Sequence, residues 1–327
     1  MKSAKITSWG NYFPERVLTN DDLEKMVDTS DEWITTRTGI KERRLAADNE
    51  YTSDMAAKAA QAAIRRADIK PDEIDAIIVA TITPDMSFPS TSCFVQKKIK
   101  AFNAACMDIA AACSGYIYAL SIADSYIKTG MYSKILIIGA EKLSAITDWS
   151  DRNTCVLFGD GAGACIVEPA QDKNEGLLSF YLGADGRHSE LLYLPASGTR
   201  NPASHETVDN HLHYIRMKGS ELFKIATKKM ADSATEALKR AGLDCSDVSL
   251  VVPHQANIRI INAVLKKLQL DENKVFLNIH RYGNMSAAST ATALNEAIDS
   301  GRVKKGDVIV LTAFGGGLTW GAGVIRW

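Results

Sequence analysis

The stretch AAIRRADIKPDEIDAIIVA, Ala62 to Ala80, lies on EALKRAGLDCSDVSLVVPH, Glu236 to His254, without a gap, so the chain repeats itself. The match pairs Ile64 with Leu238, Arg66 with Arg240, Ile74 with Val248 and Ile78 with Val252. Each copy reads as an amphipathic helix, a turn and a buried strand. At about the same offset CSGYIYALSIADSYIKTG, from Cys113, answers NMSAASTATALNEAIDSG, from Asn284, and each ends in a Gly suited to a helix C-cap. A strand follows each, SKILIIGA or GDVIVLTA, and then a glycine turn, FGDGAGACIVEP from Phe158 or FGGGLTWGAGVIRW from Phe314. Four matched pairs in one order predict an α/β chain of two pseudo-symmetric halves, residues 1–172 and 173–327, packed about a pseudo-twofold axis. A length of 327 residues with 46% hydrophobic side chains is enough for such a duplicated core.

Under this duplication Cys113 and Asn284 occupy equivalent places, each expected after a strand-like segment and at the start of a buried helix. His254 follows the second strand of the other matched pair. Strand ends and helix starts are where open α/β sheets build their sites, so the three are expected to converge on one cleft between the halves. At a helix start, free backbone N–H groups and the macrodipole favour a thiolate, which predicts a lowered Cys113 pKa. Ala110, Ala111, Ala112 and Gly115 leave room for a substrate carbonyl, and the N–H groups of the turn suit an oxyanion hole. Tyr116, Ile117, Leu120, Ile122 and Tyr126 make the following helix apolar on several sides and hence central. Taken alone, the segment favours a buried Cys in a tight helix–sheet contact over a nucleophile.

Other chemistries find less support. The six cysteines, Cys93, Cys106, Cys113, Cys155, Cys165 and Cys245, show neither C-x-x-C pairs nor zinc spacing, so neither a metal nor a disulfide is expected. His211 and His213 of HLHY could share one strand face, but two ligands without a third make a poor metal site; His188, His205 and His280 receive no role. The formal net charge of −1 argues against nucleic acid or an anionic membrane as a whole-molecule partner. No apolar run has membrane-spanning length, and the N-terminus reads as a short strand entering a Pro turn rather than a signal peptide, so a cytoplasmic location is expected.

The segments VDTSDEWITTRTGI, FPST, AAACSG, FGDGAGA, VPHQANIRI, GNMSAAS and AFGGGLTWGA, in this order, resemble the β-ketoacyl-acyl carrier protein synthases III, within the thiolase-like condensing enzymes. The resemblance spans essentially the whole chain and implies a thiolase-like αβαβα fold. It implies a Cys-His-Asn site at Cys113, His254 and Asn284, where the elongating relatives use two histidines and degradative thiolases a second cysteine. The implied reaction loads an acyl group from acyl-CoA onto Cys113. Malonyl-acyl carrier protein is then decarboxylated while His254 and Asn284 stabilise the enolate, and the carbanion attacks the acyl thioester. Acyl-CoA is a substrate in this scheme and no cofactor is implied.

The same resemblance assigns coenzyme A contacts to Trp33, Arg152 and Arg37, and a pantetheine contact to Asn257. Gly219, Phe314 and Gly316 complete the substrate set. Ser220 stands where the family pattern has Asn, which removes the support for a pantetheine contact there. Phe88 of FPST matches a residue that reaches into the partner subunit's acyl pocket, implying a homodimer. Lys224, Arg259, Lys266 and Lys267 match basic positions that dock the acidic carrier protein, while Lys228 and Lys229 read equally well as a solvated helix face. The main reading is an enzyme that starts fatty acid synthesis. The alternatives are a condensing enzyme of secondary metabolism with a longer, branched or aromatic primer, and a catalytically silent CoA-binding subunit.

Overall fold

A computed structural model describes residues 3–172 and 174–327. Lys173, at which the expected second half begins, lies outside the described residues, as do Met1 and Lys2. In chain order the first set of elements is β1 (Ala4–Tyr12), a separate antiparallel pair of β2 (Arg16–Thr19) and β3 (Glu42–Leu45) enclosing α1 (Asn20–Glu24) and α2 (Asp31–Thr38), then α3 (Thr52–Ala67), β4 (Ala76–Ala80), α4 (Thr91–Ile99), β5 (Ala105–Ile109), α5 (Gly115–Thr129), β6 (Ile135–Lys142), α6 (Arg152–Cys155) and β7 (Asp160–Pro169). The second set is β8 (Gly176–Ala184), β9 (Leu192–Tyr193), α7 (His205–Asp209), β10 (Arg216–Met217), α8 (Gly219–Arg240), β11 (Leu250–Pro253), α9 (Ile258–Leu268), α10 (Ile279–Tyr282), α11 (Ala287–Asp299), β12 (Val308–Gly315) and β13 (Thr319–Arg326).

The two large sheets have the same topology. The first runs β1-β7-β6-β4-β5 and the second β8-β13-β12-β11, with antiparallel, antiparallel and parallel steps in both. The fifth position of the second sheet is reduced to one parallel bridge, Val251 to Val275. A strand was expected to lead to Asn284, but α10 stands there instead. The cause is Gln255, fully buried, whose Oε1 accepts the N–H groups of Asn278 and Ile279 at 3.1 and 3.2 Å, taking donors that a strand ladder would need.

The strands β4 and β6 are buried along nearly their whole length, as parallel strands covered on both faces must be. Their period of two divides them between layers. Ile78 and Ile137 face α5 and α11, and Ile77, Leu136 and Ile138 face α3. On the other side Val251, Val310 and Val324 pack under α8. Helices α5 and α11 thus form the middle layer between the two sheets, with α3 and α8 outside: the αβαβα arrangement. Middle-layer contact requires small residues. A Cβ on Gly139 of β6 would lie 2.5 Å from Ala287 O, and one on Gly163 of β7 would lie 2.7 Å from Ala291 Cβ.

His211 and His213 fall in the turn after α7 and not on a strand face. His213 Nδ1 lies 2.9 Å from Ser197 Oγ and its Nε2 3.1 Å from Thr207 Oγ1, whereas His211 turns to Asp148. No group of three or more His, Cys, Asp or Glu is placed to hold a metal ion among the described residues, and no helix among them is long and apolar enough to cross a membrane.

Candidate active site

Cys113 sits in a single 3-10 turn, Ala112–Ser114, between the end of β5 and the first residue of α5. The turn is braced from the other sheet. Ser114 Oγ lies 2.7 Å from Ala111 O and 2.8 Å from Thr319 Oγ1, and Thr319 Oγ1 lies 2.9 Å from Ala111 O. Gly315, the last residue of β12, lies so close that a Cβ there would be 2.6 Å from Cys113 N. On the other side a Cβ on Gly115 would press on Ala80 Cβ at 3.0 Å, a tight contact.

The thiol opens onto a cavity of about 250 Å³. Its walls are aliphatic and aromatic, chiefly Ile82, Leu143, Ile146, Phe158, Leu192 and Ile215, with Gly316 and Ser286 beside Cys113. A larger space of about 920 Å³ adjoins it, sharing Ile82, Ile146, Tyr193 and Leu194. The expectation of a lowered Cys113 pKa is corrected here. Burial pushes the thiol up to about 12; the nearby Ser286 side chain and the turn's own backbone pull it down, and the Glu141 carboxyl adds to the rise. Cys113 is only 7% exposed in this turn, so lost hydration outweighs the N–H groups of the helix start.

His254 is fixed at the end of β11 by its N–H, which donates to Thr312 O at 2.8 Å, three residues before the Gly315 that abuts Cys113. Its ring is buried, with no partner for Nδ1, and burial lowers its pKa to about 3, so the imidazole is neutral. Asn284 is held by a bridge to Phe158. Its N–H donates to Leu157 O at 2.8 Å, and its carbonyl accepts from Gly159 N at 3.0 Å. Its Oδ1 accepts from Ser286 N at 2.9 Å, which leaves the two Nδ2 hydrogens as its free donors. Neither His254 nor Asn284 is among the residues lining the cavity; Phe158 and Ser286, which adjoin Asn284, are.

Among the expected substrate residues, Trp33 on α2 has the Arg152 guanidinium 4.4 Å and that of Arg37 5.1 Å from its ring centroid. Arg152 also approaches Asp28 at 3.6 Å. Asn257 caps α9, its Oδ1 accepting from Arg259 N at 2.8 Å. Gly219 is exposed at the first turn of α8, as is Ser220 beside it. Phe314 is buried in the core between the second sheet and α8 and does not line the cavity. Phe88 is 84% exposed, beside an exposed Met86. Lys224 on α8 and Arg259, Lys266 and Lys267 on α9 are all exposed, and Arg259 lies 5.8 Å over Phe223, next to Lys224 in the chain. Lys228 is exposed too, while Lys229 is half-buried over the Trp320 ring at 4.2 Å.

Two residues of the site escaped the sequence reading. Ser286, in the NMS segment, has φ 44° and ψ −120°, a conformation L-residues rarely adopt, and its Oγ is buried without a hydrogen bond. Glu141, the penultimate residue of β6 after an apolar run, is 0% exposed and has its pKa pushed up to about 7 by burial. An acid closing the run ILIIGA was the available signal for it.

Comparison with known proteins gives one consistent result. The family described as 3-Oxoacyl-[acyl-carrier-protein (ACP)] synthase III matches residues 107–186, and its C-terminal counterpart matches residues 238–327. A beta-ketoacyl-[acyl-carrier-protein] synthase III from Caldanaerobacter subterraneus subsp. tengcongensis is 56% identical over 325 residues, covering 99% of this chain and 98% of the relative. The crystal structure of 3-oxoacyl-[acyl-carrier-protein] synthase III from Aquifex aeolicus superposes with a TM-score of 0.92 at 54% identity, over 99% of this chain and 100% of that one. The priming beta-ketosynthase of the R1128 polyketide biosynthetic pathway also superposes with a TM-score of 0.92, at 32% identity over 99% of this chain and 96% of that one.

Proposed function

The chain belongs to the 3-oxoacyl-[acyl-carrier-protein] synthase III family, and from that premise we propose that Cys113, His254 and Asn284 carry out its condensation. The enzyme is a condensing acyltransferase that initiates fatty acid synthesis. The observation that carries the residue assignment is the thiol of Cys113, braced by both sheets and opening onto an apolar cavity of about 250 Å³. Such a space suits a short acyl chain. Attack of the Cys113 sulfur on acyl-CoA gives an acyl thioester and releases coenzyme A. Malonyl-acyl carrier protein then loses carbon dioxide, and the enolate oxygen takes hydrogen bonds from His254 Nε2 and Asn284 Nδ2. Both donors are neutral, so they stabilise charge as it develops without having to lose a proton. The carbanion attacks the acyl carbonyl, whose oxygen is held by backbone N–H groups at Cys113 and the FGGG turn, and a 3-ketoacyl-acyl carrier protein leaves.

Coenzyme A binds in this reading along Trp33, Arg37 and Arg152, where flat faces and positive charge suit a nucleotide, with Asn257 and Gly219 toward the pantetheine arm and Gly316 at the thioester. Phe314 supports this region from the core. The halves 1–172 and 173–327 supply the thiol and the two donors respectively. The enzyme acts in the cytoplasm as a homodimer in which Phe88 of each copy reaches the other's acyl pocket, and it uses acyl-CoA as a substrate and no cofactor. The higher identity to the Aquifex enzyme than to the R1128 ketosynthase favours the primary pathway over a specialised one. Intact-protein mass spectrometry with a panel of acyl-CoAs tests the assignment. Wild type gains one acyl mass and Cys113→Ala gains none; an acylated peptide mapping to Cys106 or Cys155 overturns it. Loading without condensation would mark a silent partner subunit.

A further inference from the structure

Gln255 follows His254 in the chain and is fully buried, and the mechanism above gives it no task. An amide carries two donors and two acceptor positions, and burying any of them unpaired is costly. All four are filled here. Its Nε2 donates to Pro253 O at 2.8 Å and to Phe276 O at 3.3 Å, and its Oε1 accepts from Asn278 N at 3.1 Å and Ile279 N at 3.2 Å. One side chain thus joins the end of β11, where His254 sits, to the start of α10, which leads to Asn284.

The first half makes the matching connection with backbone. Thr81, the residue after the pair of Ala80 with His254, donates its N–H to Ile109 O at 3.2 Å and so continues the pairing of β4 with β5, the strand that leads to Cys113. In the second half that pairing stops at Phe276, whose N–H donates to Val251 O at 3.0 Å, and beyond it the Gln255 amide takes over.

The two enolate donors otherwise hang from different parts of the fold. His254 is held to β12 through Thr312 O, and Asn284 to the segment before β7 through Leu157 and Gly159. No hydrogen bond to Nδ1 orients the His254 ring, so its place follows from packing and from its backbone. On its far side α10 is fastened to α11 by Glu296, which accepts from Asn278 Nδ2 at 2.9 Å and from Tyr282 Oη at 2.7 Å, while Gly283 N donates back to Ile279 O at 2.9 Å. This one short turn carries any shift at Asn278 on to Asn284. We propose that Gln255 is a positioning residue that fixes the spacing of His254 and Asn284, so that both donors reach one enolate oxygen. The inference rests on these two residues being the enolate donors. Such donors work only when held to within about 0.5 Å, and a misplacement of about 1 Å can cost about 10²-fold in rate.

Gln255→Met keeps the length of the side chain and removes all four bonds. In acyl-loaded enzyme, labelled carbon dioxide release from malonyl-acyl carrier protein should fall about 10²-fold, while Cys113 loading by acyl-CoA, per folded protein, changes by less than about threefold. In His254→Ala, where no pair remains to be spaced, adding Gln255→Met should cost less than about threefold more. Release at the wild-type rate overturns the proposal. So does an equal loss of loading and release, or an undiminished cost in the His254→Ala background, because a general loss of packing acts on both steps and does not depend on His254. Should Gln255→Met not fold, Gln255→Glu is judged by the same criteria, since it keeps the acceptors for Asn278 and Ile279 but sets a carboxyl oxygen against Pro253 O and Phe276 O. If His254→Ala alone releases carbon dioxide at the wild-type rate, the reading of His254 as a donor fails instead.

Discussion

Neutrality is what suits His254 and Asn284 to a different half-reaction from Cys113. Burial holds the His254 pKa near 3, so the ring is uncharged throughout the working range and can donate without titrating. His254→Ala and Asn284→Ala should each lose labelled carbon dioxide release from malonyl-acyl carrier protein by about 10²- to 10³-fold, while Cys113 loading falls much less. In a preloaded enzyme that release should show no histidine step between about pH 5 and 8, because a lowered pKa leaves the charged form only below that window. Equal loss of both half-reactions would make these residues supports of the fold. The three could be proposed from the sequence because the repeat sets them beside strand and helix signals. Ser286 could not, since it lines the Cys113 cavity only through a fold that joins residues far apart in the chain. The thiol's pKa was misjudged for a related reason: the helix start is visible in the sequence, but the Gly315 backbone that closes over it is not.

At the level of elements, the position of α11 decides the site, because Asn284 and Ser286 enter it. That helix rests on Gly139 and Gly163, where added side chains would meet Ala287 O at 2.5 Å and Ala291 Cβ at 2.7 Å. Gly163→Val should therefore lower stability by about 1–3 kcal/mol through overpacking and lose condensation beyond that loss of folded protein. Chemical denaturation beside a condensation assay checks it, and an unchanged site would show that α11 can shift without consequence. Helices α8 and α9 carry the basic face assigned to the carrier protein. Arg259→Glu with Lys267→Glu should slow reaction with malonyl-acyl carrier protein, with a deficit that shrinks at high salt, and should leave loading by acyl-CoA nearly unchanged. Lys266 and Lys267 also lie in the last turn of α9, where the helix dipole favours cations, so Arg259 is the more diagnostic of the pair. The duplicated order of elements could be read from hydrophobic period and turn residues. The missing fifth strand could not, because one buried side chain, Gln255, takes its hydrogen bonds.

For the whole molecule, the middle layer of α5 and α11 joins both sheets into one core, and Phe88 and Met86 are left outside it, 84% and 50% exposed. In the proposed homodimer these two side chains belong to the contact between the copies. Phe88→Asp should shift the sedimentation coefficient toward that of a 35.6 kDa monomer; a wild type that already sediments as a monomer would refute the dimer. The central claim, condensation through an acyl-Cys113 intermediate, is tested most directly by a chase. The enzyme is loaded with acyl-CoA, freed of excess, mixed with malonyl-acyl carrier protein, and both proteins are weighed by mass spectrometry over time. The account predicts that the acyl mass on Cys113 disappears at the rate at which 3-ketoacyl-acyl carrier protein forms. Product forming while the acyl mass stays on the enzyme would contradict it.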